Sequence, residues 1–245
     1  MHGTMRKTMK GTLPSLFTVG NLLCGYLAVI NVIEGALVHA AWWIIIAAFF
    51  DHFDGKVARM TATASRFGIE FDSITDMVSF GIAPAVLFHQ FMLIDAGNLG
   101  YFLAFLFVFA GAFRLARFNI SAGTVMKEYF TGMPIPAGAG VLASYVLFCE
   151  NVWSDLAQFD LAVAIIVLTS AAMVSLFRYS AMPRISFDNV GESLRSAGFI
   201  ALLGSVILYP DEVFFPLGLT YLFSGPVRTV TVPAYHFVTH RTHGR

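Results

Sequence analysis

The segment SLFTVGNLLCGYLAVINVI runs through residues 15–33 without one formal charge. About 20 mostly apolar residues are what an α-helix needs to cross hydrocarbon. Lipid accepts only backbone whose polar groups are satisfied within the element. This restriction recurs along the chain, which offers eight candidate spans at 14–33, 39–56, 73–93, 98–118, 134–149, 159–177, 196–209 and 212–227. The fifth and the last two are short, so a six-helix reading without the final pair stays open beside the eight-helix one.

Composition agrees with the pattern. Charged residues make up 12% of the 245-residue chain and hydrophobic residues 57%, whereas a soluble domain carries about 25% charged. A net charge of zero gives no reason to expect a nucleic-acid partner. Cys24 and Cys149 both lie in apolar runs and read as small buried hydrophobes rather than disulfide or metal partners. The basic start MHGTMRKTMK suggests a signal peptide. The apolar run after it is too long for one and ends in no small-x-small site, so it reads as the first membrane helix.

Positive residues collect in cytoplasmic loops. Under the eight-helix reading all 15 Lys and Arg fall on one side of the membrane, from Arg6 to Arg245. The opposite loops carry Glu34, Asp95, Glu150, Asp155, Asp160, Asp211 and Glu212. Both termini are therefore expected in the cytoplasm, with residues 1–13 as a leading segment and 228–245 as a polar, basic tail. No repeat or second domain is visible, and one membrane-embedded domain is expected over 1–245.

Against this apolar background stands DHFDGKVARMTATASRFGIEFDSITD (51–76). Asp51 and Asp54 are i, i+3; Asp72 and Asp76 are i, i+4. Each pair projects from one helix face, about 4.5–6 Å apart along the axis. Two antiparallel helices can bring the faces together, so that four carboxylates converge at the cytoplasmic membrane edge. Unneutralised, they would repel one another strongly. Oxygen-only ligands favour hard ions such as Mg²⁺, Mn²⁺ or Ca²⁺, and two such ions clamp the phosphorus of a displacement reaction. Gly55, Ala58 and Gly68 leave room for a group that approaches the backbone closely, as a nucleotide diphosphate does. Arg59 is placed to pair with an aspartate or a phosphate.

The run Asp51-x₂-Asp54-Gly55-x₂-Ala58-Arg59-x₈-Gly68-x₃-Asp72-x₃-Asp76 resembles, without departure, the signature of the CDP-alcohol phosphatidyltransferase family. The flanking LPSLFTVGNLLCG (13–25), SFGIAPA (79–85), FRLARFN (113–119) and GMPIPA (132–137) are similar to its membrane-embedded phosphatidylserine synthases, although Ser15 stands where relatives often have Asn. The resemblance implies an all-α polytopic fold with a six-helix core, here followed by two C-terminal transmembrane helices. It also implies a homodimer in a bacterial inner membrane, with the active site open to the cytoplasm. By the same resemblance, Asp51, Asp54, Asp72 and Asp76 ligate two divalent cations, Mg²⁺ or Mn²⁺ with Ca²⁺ able to occupy the site, and Asp76 is the general base. Gly55, Ala58, Arg59 and Gly68 line the CDP-diacylglycerol pocket, with Thr18 and Asn21 nearby.

The expected reaction joins CDP-diacylglycerol to L-serine, giving phosphatidylserine and CMP. The serine carboxylate needs a cation. Arg114 and Arg117, whose i, i+3 spacing aims both one way, are the candidates, with Asn119 after them. Glycerol 3-phosphate or inositol phosphate as acceptor is the alternative within the family, and a divalent-cation transporter is the alternative outside it. His52 and His89 read as packing residues, Trp42 and Trp43 as interface anchors, and Pro84 as a bend in the third helix. The tail histidines His236, His240 and His243 read as incidental.

Overall fold

The structure, a computed structural model, describes residues 16–61, 66–121, 129–152, 158–180, 198, 204–205 and 208–242. Helix α1 (Leu16–Ile33) turns at Glu34–Ala36 into α2 (Leu37–Thr61). The turn closes through Gly35 at φ 77°, whose N–H donates to Val32 O at 3.1 Å, while Ala36 N–H donates to Asn31 O at 2.8 Å. Such a left-handed residue ending a helix favours glycine.

The third span begins with α3 (Arg66–Asp76) and continues without a loop. A wider π-helical turn, Met77–Ile82, is followed by α4 (Ala83–Phe88), a second π turn at His89–Leu93 and a short 3₁₀ end at Ile94–Ala96. Pro84 has no N–H, and its ring would crowd a carbonyl one turn back in a regular helix. Placing it in the first turn of α4, just after the widened segment, relieves both demands. Where the sequence suggests a bend, the structure has a π turn directly after Asp76, and such turns recur at functional sites.

Helix α5 (Asn98–Ser121) follows Gly97, and α6 (Ile135–Asn151) and α7 (Phe159–Val174) complete a six-helix bundle. Its core is contributed by all six. Every residue from Val141 to Leu147 is buried, so α6 is wrapped by protein rather than lipid, which explains an apolar run too short to span comfortably. Two three-residue strands, β1 (Tyr129–Thr131) and β2 (Arg178–Ser180), pair antiparallel with Phe130 opposite Tyr179. They are the one departure from an all-α fold among the described residues.

Among the described residues, four spans are long and apolar enough to cross a membrane: Leu16–Ile33, Leu37–Asp54, Phe67–Ala96 and Asn98–Ile120. The architecture is that of an all-α polytopic membrane protein. The expected seventh span, 196–209, lies for the most part outside the described residues, as do residues 1–13. The eighth, α8 (Pro210–Thr242), is 33 residues long and stays helical well past the expected end at 227. The expected tail from 228 is therefore helical as far as Thr242. Each proline within it removes one backbone donor and leaves the rest of the ladder in place. Tyr179 latches α8 to the bundle. Its hydroxyl donates to Leu222 O at 3.0 Å, and Gly225 gives its ring room, since a Cβ there would stand 2.6 Å from the ring edge. Burial and the neighbouring Tyr221 push the Tyr179 phenol up to about 12, so it remains a donor at any physiological pH.

Candidate active site

Asp51 and Asp54 occupy consecutive turns of α2, and Asp72 and Asp76 consecutive turns of α3. Carboxylate oxygens of Asp51, Asp72 and Asp76 lie within 4.8 Å of one another. Acidic residues of two consecutive helices thus meet at one locus. Asp54 stands slightly apart from this trio. It is buried and accepts a hydrogen bond from Thr18 Oγ1, while lying close enough to interact electrostatically with Asp51 and Asp72.

Helix α1 forms the wall behind the carboxylates. Asn21, fully buried, donates from Nδ2 to Asp76 Oδ1 at 3.2 Å. Ser79, in the π turn after Asp76, donates to the Asn21 backbone carbonyl at 2.9 Å. Gly25 permits the approach, since a Cβ there would meet Ser79 Oγ and stand 2.7 Å from Ser79 Cα. Thr18 and Asn21, expected near the nucleotide, are thus each bonded to an aspartate. Ser79 belongs to SFGIAPA, in which the sequence assigns it no role of its own. Its signal was its place one turn after Asp76, which sequence spacing could not connect to α1.

Helix α5 sends its two arginines different ways, contrary to the common aim expected from i, i+3 spacing. Arg114 is 7% exposed, lies over the Phe118 ring at 5.1 Å and interacts electrostatically with Asp76, Asp51 and Tyr221 of α8. Arg117 instead donates to four carbonyls: Val174 at 2.8 Å, Thr131 at 2.9 Å, Met173 at 3.1 Å and Ser175 at 3.2 Å. It caps the carboxyl end of α7, where the helix dipole favours a cation. Gly132 faces it at φ 79°, with no space for a Cβ beside Arg117 Nη2 or 2.5 Å from Met173 O. The segments FRLARFN and GMPIPA therefore meet at one clamp. Asn119 donates to Ser73 Oγ at 2.9 Å, tying the end of α5 to α3 beside Asp72.

Gly55, Ala58 and Arg59 lie on the last turns of α2, where only the backbone is described. Gly68 lies in the first turn of α3, four residues before Asp72.

The donor set fits a divalent cation. Three carboxylates of α2 and α3 gather against α1, without a His or Cys among them. Hard oxygen ligands of this kind suit Mg²⁺, Mn²⁺ or Ca²⁺, and without a cation the clustered charge would be costly.

A family model described as CDP-alcohol phosphatidyltransferase matches residues 11–177, which takes in all six bundle helices. The chain is similar to the CDP-diacylglycerol–serine O-phosphatidyltransferase of Helicobacter pylori strain 26695, with 37% identity over 71% of this chain and 74% of that protein. It is 35% identical to the archaetidylserine synthase of Methanothermobacter thermautotrophicus over 74% of this chain and 72% of that protein. It is 39% identical to the CDP-diacylglycerol–serine O-phosphatidyltransferase of Methanocaldococcus jannaschii over 66% and 75%.

Proposed function

Because the chain belongs to the CDP-alcohol phosphatidyltransferase family, an enzyme family of phosphotransferases embedded in membranes, we propose that it transfers the phosphatidyl group of CDP-diacylglycerol to the hydroxyl of L-serine. The observation that carries this reading is the meeting of Asp51, Asp72 and Asp76 within 4.8 Å. The serine acceptor is supported by the relatives' names, which share that amino acid across bacteria and archaea.

In this reading Asp51, Asp54, Asp72 and Asp76 hold two divalent cations, Mg²⁺ or Mn²⁺. When bound, these ions neutralise the diphosphate and the charge that develops on the leaving CMP oxygen. Asp76 takes the proton from the serine hydroxyl. The hydroxyl oxygen forms a bond to the lipid-side phosphorus as the bond from that phosphorus to the CMP oxygen breaks, and CMP leaves with the electron pair. Gly55, Ala58, Arg59 and Gly68 accommodate the CDP moiety. Arg114, whose charge acts on Asp76, meets the serine carboxylate. Arg117 is the weaker candidate for that task because its guanidinium is engaged by backbone carbonyls. The acyl chains stay in the bilayer while the headgroup enters between helices. The sorting of positive residues supports a cytoplasmic site in the inner membrane.

The decisive measurement supplies purified protein with CDP-diacylglycerol, Mn²⁺ or Mg²⁺, and labelled serine, glycerol 3-phosphate or inositol phosphate in turn. CMP release with label transfer from serine alone is expected. Transfer from a phosphorylated acceptor instead would replace serine, and no CMP release with any acceptor would overturn the reading.

A further inference from the structure

We propose that Thr18 and Asn21 are positioning residues of the acidic centre: α1 fixes one oxygen of Asp54 and one of Asp76, and so sets the placement of carboxylates from two other helices. This inference rests on reading that centre as the divalent-cation site.

The two residues are i, i+3 on the buried face of α1, 4% and 0% exposed. Thr18 Oγ1 donates to Asp54 Oδ2 and Asn21 Nδ2 to Asp76 Oδ1 at 3.2 Å. A threonine hydroxyl has one proton to donate, and here it is given to a carboxylate rather than left for a phosphate oxygen. The amide orientation of Asn21 follows from chemistry. An ionised carboxylate only accepts, so Nδ2 must face it. That choice leaves Asn21 Oδ1 buried without a hydrogen-bond partner among the described residues. A buried amide oxygen costs free energy in that state, and a donor on a bound ligand or its hydration shell would remove the cost.

The support extends past the side chains. Ser79 Oγ donates to the Asn21 backbone carbonyl, and Gly25 brings α1 against the Ser79 backbone. The segment that follows Asp76 is therefore pinned to the same helix that orients its carboxylate. Groups that orient metal ligands through hydrogen bonds typically change metal affinity or activity about 10–100-fold when removed.

The test is Mn²⁺ binding to the full-length protein in detergent, read by electron paramagnetic resonance without liponucleotide or serine. Steady-state kinetics and thermal midpoints are measured beside it. Thr18→Val and Asn21→Ala are each expected to weaken Mn²⁺ binding about 10–100-fold and to lower kcat, with the KM for CDP-diacylglycerol within about twofold of the parent. Thr18→Ser, which keeps the hydroxyl, should restore Mn²⁺ affinity, so a general packing defect would not reproduce the pattern. A raised KM for CDP-diacylglycerol with unchanged Mn²⁺ affinity would overturn the inference and return both residues to nucleotide contact. Asp72→Asn serves as the parallel reference. If it too leaves Mn²⁺ binding intact, the cation-site reading itself fails; if it abolishes binding while Thr18→Val and Asn21→Ala do not, only the positioning role fails.

Discussion

Asp76 has two neighbours of opposite character, the Asn21 amide that donates to it and the buried Arg114 whose charge it feels. Replacing it with Asn keeps the shape and removes the base. Asp76→Asn should lower kcat by about 10²–10⁴-fold, the usual contribution of a general base, while CDP-diacylglycerol still binds; undiminished CMP release would remove Asp76 from that role. The two arginines of α5 separate in the same manner. Arg114→Ala should raise the KM for serine far more than that for CDP-diacylglycerol, and equal effects on both would reject its assignment. Arg117→Ala should instead lower the thermal midpoint, because each charge-assisted bond to a carbonyl contributes about 1.5–3 kcal/mol. A rise in serine KM at unchanged stability would show that Arg117 serves the acceptor after all. Sequence spacing proposed both arginines for one task. Which carbonyls Arg117 could reach depended on where α7 ends in space.

At the scale of elements, the close crossing of α1 over the π turn after Asp76 is what lets one helix serve the carboxylates of two others. Gly25 is its contact point, with the Ser79 backbone where a Cβ would lie. Gly25→Ala should force the helices apart, cost about 1–3 kcal/mol as overpacking does, and weaken the bond from Ser79 to the Asn21 carbonyl. The check is a detergent melt paired with CMP release, and a variant with parental midpoint and activity would show that the crossing has slack. The π turn itself was only partly legible. Pro84 announced an irregularity, but its form depended on how Phe80 and Ser79 bury against neighbours.

For the whole molecule, the alternation of helices puts the loops that carry Arg and Lys on one side and Glu34, Asp95 and Glu150 on the other. In cells bearing single reporters, Glu150→Cys should react with a membrane-impermeant maleimide from outside, and Arg178→Cys only after permeabilisation. Both sites are exposed, and the native Cys24 and Cys149 are buried. Labelling of Arg178→Cys in intact cells would invert the topology. The chain alone determined the membrane class, six bundle helices and the four aspartates. A bilayer demands long uncharged helices, and a period of 3.6 residues puts i, i+3 and i, i+4 acids on one face whatever surrounds them. Only tertiary structure decided that Asp51, Asp72 and Asp76 share a locus while Asp54 turns to Thr18, that Arg114 and Arg117 part, and that α8 runs on through Thr242. Those outcomes rest on contacts between segments far apart in the chain, and the spacing of residues along one helix carries no information about which neighbour each face will meet.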